Sequence, residues 1–182
     1  MKKPNPKDIN NALSDYKACY KAAQYAEALA LIMPLAEQGE ARAQYNLAVQ
    51  LELGLGIEQD DTLAASWYHK AAQQGDSGAQ HNLACLFLAG RGLEVAALEL
   101  FKQAAEQGHA GAQYSMGFLY QEGRGVSENT NEALTWYRLA AAQGNGKAQY
   151  MMGKIYADGL GVDPDMAVAA EWYRQAAEQV LS

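Results

Sequence analysis

Four Gln-Gly pairs punctuate this chain at near-equal spacing, and that recurrence constrains its fold more than any other feature. They stand at Gln38-Gly39, Gln74-Gly75, Gln107-Gly108 and Gln143-Gly144, so the glycines are 36, 33 and 36 residues apart. Periods in this range mark a stack of short supersecondary units. A similar segment follows each pair: ARAQYNLAVQLELGLGI, SGAQHNLACLFLAGRGL, AGAQYSMGFLYQEGRGV and GKAQYMMGKIYADGLGV. After the shared Ala-Gln comes Leu or Met (47, 83, 116, 152), then a small residue (Ala48, Ala84, Gly117, Gly153). A large apolar residue follows (Leu51, Phe87, Tyr120, Tyr156). These offsets put one face of a helix against a neighbour. A Gly-x-Gly then stops the helix, at 54/56, 90/92, 123/125 and 159/161.

A second helix follows in each unit. Asp60, Asn129 and Asp165 are placed to cap it, because a short polar side chain accepts from free N–H groups of the first turn. Its signature is Ala, an aromatic pair, then Ala-Ala: Ala64, Trp67-Tyr68, Ala71-Ala72; Ala133, Trp136-Tyr137, Ala140-Ala141; Ala169, Trp172-Tyr173, Ala176-Ala177. The second unit departs, with Leu100-Phe101 as its pair and an inter-helix loop three residues shorter. The Gly of each Gln-Gly suits the left-handed residue just past a helix.

Residues 1–39 read as a worn copy. Ala28, Leu31, Ile32 and Ala36 take the Ala, aromatic-pair and second-Ala positions, and a helix is expected before them from about Ile9 to Ala23. Pro34 is expected to kink the second helix. The 35 Ala against 13 Val, Ile and Thr together exclude a β-sandwich or barrel. The expectation is an all-α solenoid of about five antiparallel helix pairs forming a single domain, 1–182. Its degenerate pair spans 1–39 and its repeats 40–75, 76–108, 109–144 and 145–180.

Net charge is −7. The first 21 residues carry five Lys against two Asp, and the remainder carries nine basic against nineteen acidic groups. An acidic body repels phosphate backbones and anionic membrane surfaces, so neither nucleic acid nor membrane is expected as a partner. Cys19 and Cys85 are the only cysteines and lack metal-ligand spacing. No apolar run follows the basic N-terminus, and no stretch reaches the roughly 20 apolar residues of a membrane span. A cytoplasmic setting is expected, although a processed secreted form would read the same way.

The motif A-x-Y-x-L-G-x-x-Y-x-x-G-x-G-V, then Asp, then A-x-x-W-Y-x-x-A-A-x-x-G, resembles the Sel-one-like repeat family, a branch of the tetratricopeptide superfamily. AQYSMGFLYQEGRGV with ALTWYRLAAAQG matches nearly throughout, as does AQYMMGKIYADGLGV with AAEWYRQAAEQV. The first repeat has Ala48 for Gly; the second has His81 for Tyr, Ala84 for Gly and no Trp-Tyr. The resemblance implies a right-handed superhelix whose first helices line a concave groove. It also implies a non-catalytic adaptor or scaffold for protein or peptide partners, with no cofactor. The groove would carry Arg42, Tyr45, Asn46, His81, Asn82, Tyr114, Phe118, Gln121, Lys147, Tyr150 and Lys154. Phe118 is the residue consensus explains least and so the favoured anchor. Within an acidic surround, a basic extended peptide is the expected occupant.

The rival chemistries are thin. The Gly-x-Gly turns follow helices and recur in every unit, so they read as turns and not phosphate loops, with Arg91 and Arg124 as solvated side chains. His81 and Cys85 stand four apart on one helix and are the only basis for a hydrolase or small-molecule site in the groove. His69 and His109 sit on a solvent-facing stripe and at a helix start. Acting through the solenoid ends is the structural alternative. There Val168, Trp172, Tyr173, Val180 and Leu181 cannot all face the preceding helix, which suggests a homodimer through the C-terminal end.

Overall fold

The computed structural model describes residues 5–89 and 93–181, with side chains to Gln179. The turn glycines Gly90 and Gly92, with Arg91 between them, lie outside the described residues, as do the side chains of Val180 and Leu181. Every regular element among the described residues is a helix. The elements are α1 (Pro6–Lys21), α2 (Tyr25–Glu37), α3 (Ala41–Leu53), α4 (Asp61–Gln73) and α5 (Ser77–Ala89). They continue as α6 (Glu94–Glu106), α7 (Ala110–Glu122), α8 (Thr130–Ala142), α9 (Gly146–Asp158) and α10 (Met166–Leu181). The chain is an all-α repeat solenoid. Its helices group into two compact units, Met1–Leu83 and Ala84–Ser182, with the boundary inside α5.

Local chemistry sets the helix ends. Asp60 Oδ1 accepts from the Leu63 N–H at 2.8 Å, Asn129 Oδ1 from Glu132 at 3.1 Å, and Asp165 Oδ1 from Ala167 and Val168 at 2.9 and 3.0 Å. All three expected caps are present. The first helices are capped too, by Glu40, Asp76, His109 and Asn145, each accepting from the N–H three residues on. Left-handed glycines close both kinds of helix, as at Gly54 (φ +65°) and, two residues beyond α2, Gly39 (φ +93°).

In the degenerate pair α1 runs Pro6–Lys21, three residues earlier than the sequence suggests at its start. Asn5 caps it through Lys7, and Pro6 is pre-set for a first helical position. Ala23 (φ +57°) lies in the turn before α2, an unusual conformation for a residue with a Cβ. Pro34 lies inside α2, which continues through it to Glu37. Pro34 falls in the last turn and is exposed, so water can satisfy the carbonyl its missing N–H leaves free.

Eight of the helices, α2 to α9, are 13 residues long. Such a helix alone is marginal in water, so packing must hold it. Within one unit Tyr68 is fully buried, as are Ala43, Ala64 and Ala71; within the other, Phe101 packs with Ala97, Ala104, Met116 and Leu119. Burying such a ring contributes about 1.5–3 kcal/mol.

A polar device joins successive helices. The Gln of each Ala-Gln is buried and donates through Nε2 to the carbonyl eight residues earlier. The bonds are Gln44 to Ala36 (3.1 Å), Gln80 to Ala72 (3.4 Å), Gln113 to Ala105 (3.1 Å) and Gln149 to Ala141 (3.3 Å). Gln74 and Gln143, from the Gln-Gly pairs, donate to Gln44 and Gln113 at 2.8 and 2.7 Å. The end of α4 thus lies at the start of α3, and the end of α8 at the start of α7, which makes both pairs antiparallel.

Candidate functional site: the first-helix face

A tyrosine couple recurs along the repeats. Tyr45 of α3 tilts against Tyr68 of α4 with ring centroids 5.9 Å apart. Tyr114 of α7 meets Tyr137 of α8 at 5.8 Å, and Tyr150 of α9 meets Tyr173 of α10 at 5.5 Å. The second member is the tyrosine of the Trp-Tyr pair. Space for it comes from the small first-helix residue: a Cβ on Gly117 would stand 2.6 Å from the Tyr137 ring. Tyr68 and Tyr137 are buried, whereas Tyr45 and Tyr114 are half-buried and Tyr150 is 54% exposed. Each outer ring is thus backed by a second-helix tyrosine; Tyr150 is the most open, while Tyr45 also meets Gly78 and Tyr114 packs on the α8–α9 core.

The buried hydroxyls are anchored. Tyr68 donates to Glu52 Oε2 at 2.6 Å and accepts from Asn82 Nδ2 at 2.9 Å. Tyr137 donates to Gln121 Oε1 at 3.1 Å, and Gln121 in turn donates to Glu122. The second repeat replaces both partners together: Phe101 has no hydroxyl, and Leu88 packs where Glu52 and Gln121 stand. Burial, and for Tyr68 the Glu52 carboxylate, holds the Tyr68 and Tyr137 hydroxyls protonated well above the ordinary tyrosine range. Tyr45 is raised by burial, then by the charges of Asp76 and Glu52.

The expected groove residues fall into distinct settings. Arg42 is exposed, its Nε 3.2 Å from Glu40 Oε1 and its Nη2 donating to Asn10 at 3.1 Å. Asn46 and Arg42 line an open cleft with Asn10, Leu13, Ser14 and Lys17 of α1. The α1 residues were absent from the sequence-based site. Their spacing of three and four along one helix, beside a locally basic segment, is the signal that could have found them. His81 and Asn82 are half-buried on α5, and Cys85 is exposed. Lys147 and Lys154 are exposed on α9. Phe118 is half-buried and packs against the α6–α7 core, so much of its ring is committed to folding.

The residues assigned to the C-terminal end are also partly engaged. Trp172 packs on the α8–α9 core, the Tyr173 ring lies over Gly153, and Val168, Trp172 and Tyr173 are all half-buried. Arg124 is not simply solvated, since its guanidinium stands 4.0 Å from Glu94. His69 is exposed and shares a hydrogen bond with Gln73, as a solvent-facing position should. Among the described residues no group of three or more His, Cys, Asp or Glu is placed to hold a metal ion, and no helix is long and apolar enough to cross a membrane.

Comparison with known proteins follows the same repeats. The Sel1 repeat model matches residues 41–76, 77–109, 110–145 and 146–180, segments that begin at α3, α5, α7 and α9. Among solved structures, a Sel1 repeat protein from Oxalobacter formigenes is 36% identical (TM-score 0.82), covering 96% of this chain and 69% of its own. The protein c5321, a protective antigen of uropathogenic Escherichia coli with an SLR fold, is 33% identical (TM-score 0.78). That match covers 97% of this chain and 41% of c5321. A putative Sel1 repeat protein from Klebsiella pneumoniae is 27% identical (TM-score 0.63) over 81% of this chain and 72% of its own. No curated protein matches the chain. With the family model covering most of its length and two such structures above 30% identity, the chain belongs to the Sel1 repeat family.

Proposed function

We propose that this chain is a non-catalytic scaffold that binds a segment of a partner protein along the face of its first helices. Sel1 repeat proteins are generally protein-interaction scaffolds and typically non-catalytic, which supports the reading. The observation that carries it is the repeated tyrosine couple. Each outer ring is held by a second-helix tyrosine behind it, so it offers contact area with little ordering left to do on binding. Next to Tyr45 in the chain stands Asn46, a half-buried polar side chain suited to hydrogen-bonding an extended backbone. The chain's negative charge favours a partner segment that is basic overall.

Affinity capture from the source cells tests this, with wild-type protein beside a Tyr150→Ser variant. Tyr150 is exposed, so folding should survive. The reading expects a partner bound by wild type and lost with the variant. A partner held equally by that variant but lost on changing Trp172 would favour action through the C-terminal end.

A further inference from the structure

We infer that the junction of α3, α4 and α5 around Tyr45 is a subsite for one lysine or arginine side chain of the bound segment; this deepens the proposed scaffold role and rests on it. Glu52 at the end of α3 and Asp76 just before α5 are half-buried, and both charges act on the Tyr45 hydroxyl. Neither carboxylate makes an ion pair among the described residues. The cations of α3 and α4 are engaged elsewhere: Arg42 with Glu40 and Asn10, and Lys70 over the Trp67 ring at 3.6 Å. A partly desolvated carboxylate attracts a cation more strongly than one in open water.

The first repeat shows what such a place receives. There Glu40 caps α3 through the Ala43 N–H at 2.7 Å and holds Arg42, two residues on, at 3.2 Å. Asp76 caps α5 in the same way, through Ala79 at 2.8 Å, but the residue two on is Gly78. The protein thus supplies a cation to the first cap acid and none to the second. Gly78 instead lets Tyr45 lie against the first turn of α5. A Cβ there would stand 3.0 Å from Tyr45 Cε2 and 3.3 Å from Asp76 Oδ1, so ring edge and carboxylate converge on one point. The Tyr68 hydroxyl holds Glu52 by Oε2 at 2.6 Å, and Oε1 is the oxygen left to a ligand. A cation seated here gains from the ring quadrupole and from charge-assisted hydrogen bonds together. The caps of α7 and α9 are His109 and Asn145, so neither repeats the cap acid, and a cation placed here fixes the register of the bound segment.

The test is an NMR titration of the full chain, following the Asp76 and Gly78 backbone amides and the Asn82 side-chain amide. Acetyl-tetralysine amide and acetyl-tetraarginine amide are the probes, with acetyl-tetraglutamine amide as the neutral control. Asp76→Asn keeps the helix cap, since Asn caps as well as Asp. Glu52→Gln keeps an acceptor for Tyr68, as Gln121 serves Tyr137. Saturable shifts with one or both basic probes are expected, weakened about tenfold by each variant. Glu106→Gln, which removes one charge from an exposed position of α6, should leave them unchanged. Whichever probe binds tighter identifies the side chain preferred. No saturable shift with either basic probe, equal shifts with the neutral control, or equal weakening by Glu106→Gln would overturn the assignment. Failure here is separable from failure of the scaffold reading. A captured partner that Tyr150→Ser releases but Asp76→Asn and Glu52→Gln hold at unchanged affinity defeats the subsite alone.

Discussion

The Tyr68 hydroxyl donates to the Glu52 carboxylate at 2.6 Å, tying the second helix of a repeat to the end of the first. The corresponding bond from Tyr137 goes to the neutral amide of Gln121 at 3.1 Å. A hydrogen bond to a charged group contributes about 1.5–3 kcal/mol, against about 0.5–1.5 for a neutral pair. Tyr68→Phe should therefore lower unfolding stability more than Tyr137→Phe, by about 1 kcal/mol, as read by urea denaturation. Equal losses would show that the Glu52 bond adds nothing beyond a neutral one.

Gly56 has φ +73°, and a Cβ there would stand 2.6 Å from the backbone carbon of Tyr25. Gly39 has φ +93° with open space around it. Both carry the left-handed penalty of about 1–2 kcal/mol for a residue with a Cβ, but only Gly56 carries a backbone collision as well. Gly56→Ala should cost clearly more than Gly39→Ala in the same denaturation experiment. A comparable cost at both sites would mean that the turn after α3 can move away from α2.

Gln113 is 5% exposed, donates to the Ala105 carbonyl and accepts from Gln143. Gln113→Leu keeps the bulk and removes both bonds, leaving the Ala105 carbonyl only the Gly108 N–H. A neutral hydrogen bond contributes about 0.5–1.5 kcal/mol, so a loss of about 1–3 kcal/mol is expected by thermal or chemical unfolding. A neutral result would show that water reaches those groups.

Burial holds Tyr16, Tyr68 and Tyr137 protonated beyond the ordinary value of 10.0. A group whose pKa is raised by folding stabilises the fold fully below its unfolded value and loses that contribution as pH climbs toward the folded one. Alkaline titration should therefore show part of the tyrosinate absorbance appearing only together with loss of helical circular dichroism. All eleven tyrosines ionising near pH 10 with helicity intact would contradict the burial.

What the sequence made legible was whatever acts over a few residues. Asp60, Asn129 and Asp165 could be read as caps because their partners lie two or three positions away. The left-handed Gly after each Gln announced a helix end in the same local way. The glutamine relay was not legible, since Gln74 and Gln44 are 30 residues apart and nothing local marks Gln44 as buried. Repeat register identified the tyrosines but could not say which ring of each couple is open. Phe118 looked like an anchor for lack of a consensus role, and packing against the α6–α7 core supplies one. The cleft was hidden because α1 belongs to the degenerate pair, where the motif that locates first-helix positions is worn away.

The central claim is that binding occurs on the first-helix face. Hydrogen–deuterium exchange, with and without the captured partner, tests it most directly. The account predicts protection concentrated in α3, α7 and α9, with α4, α6 and α8 unchanged. Protection confined to α10, or spread over the second helices, would contradict it.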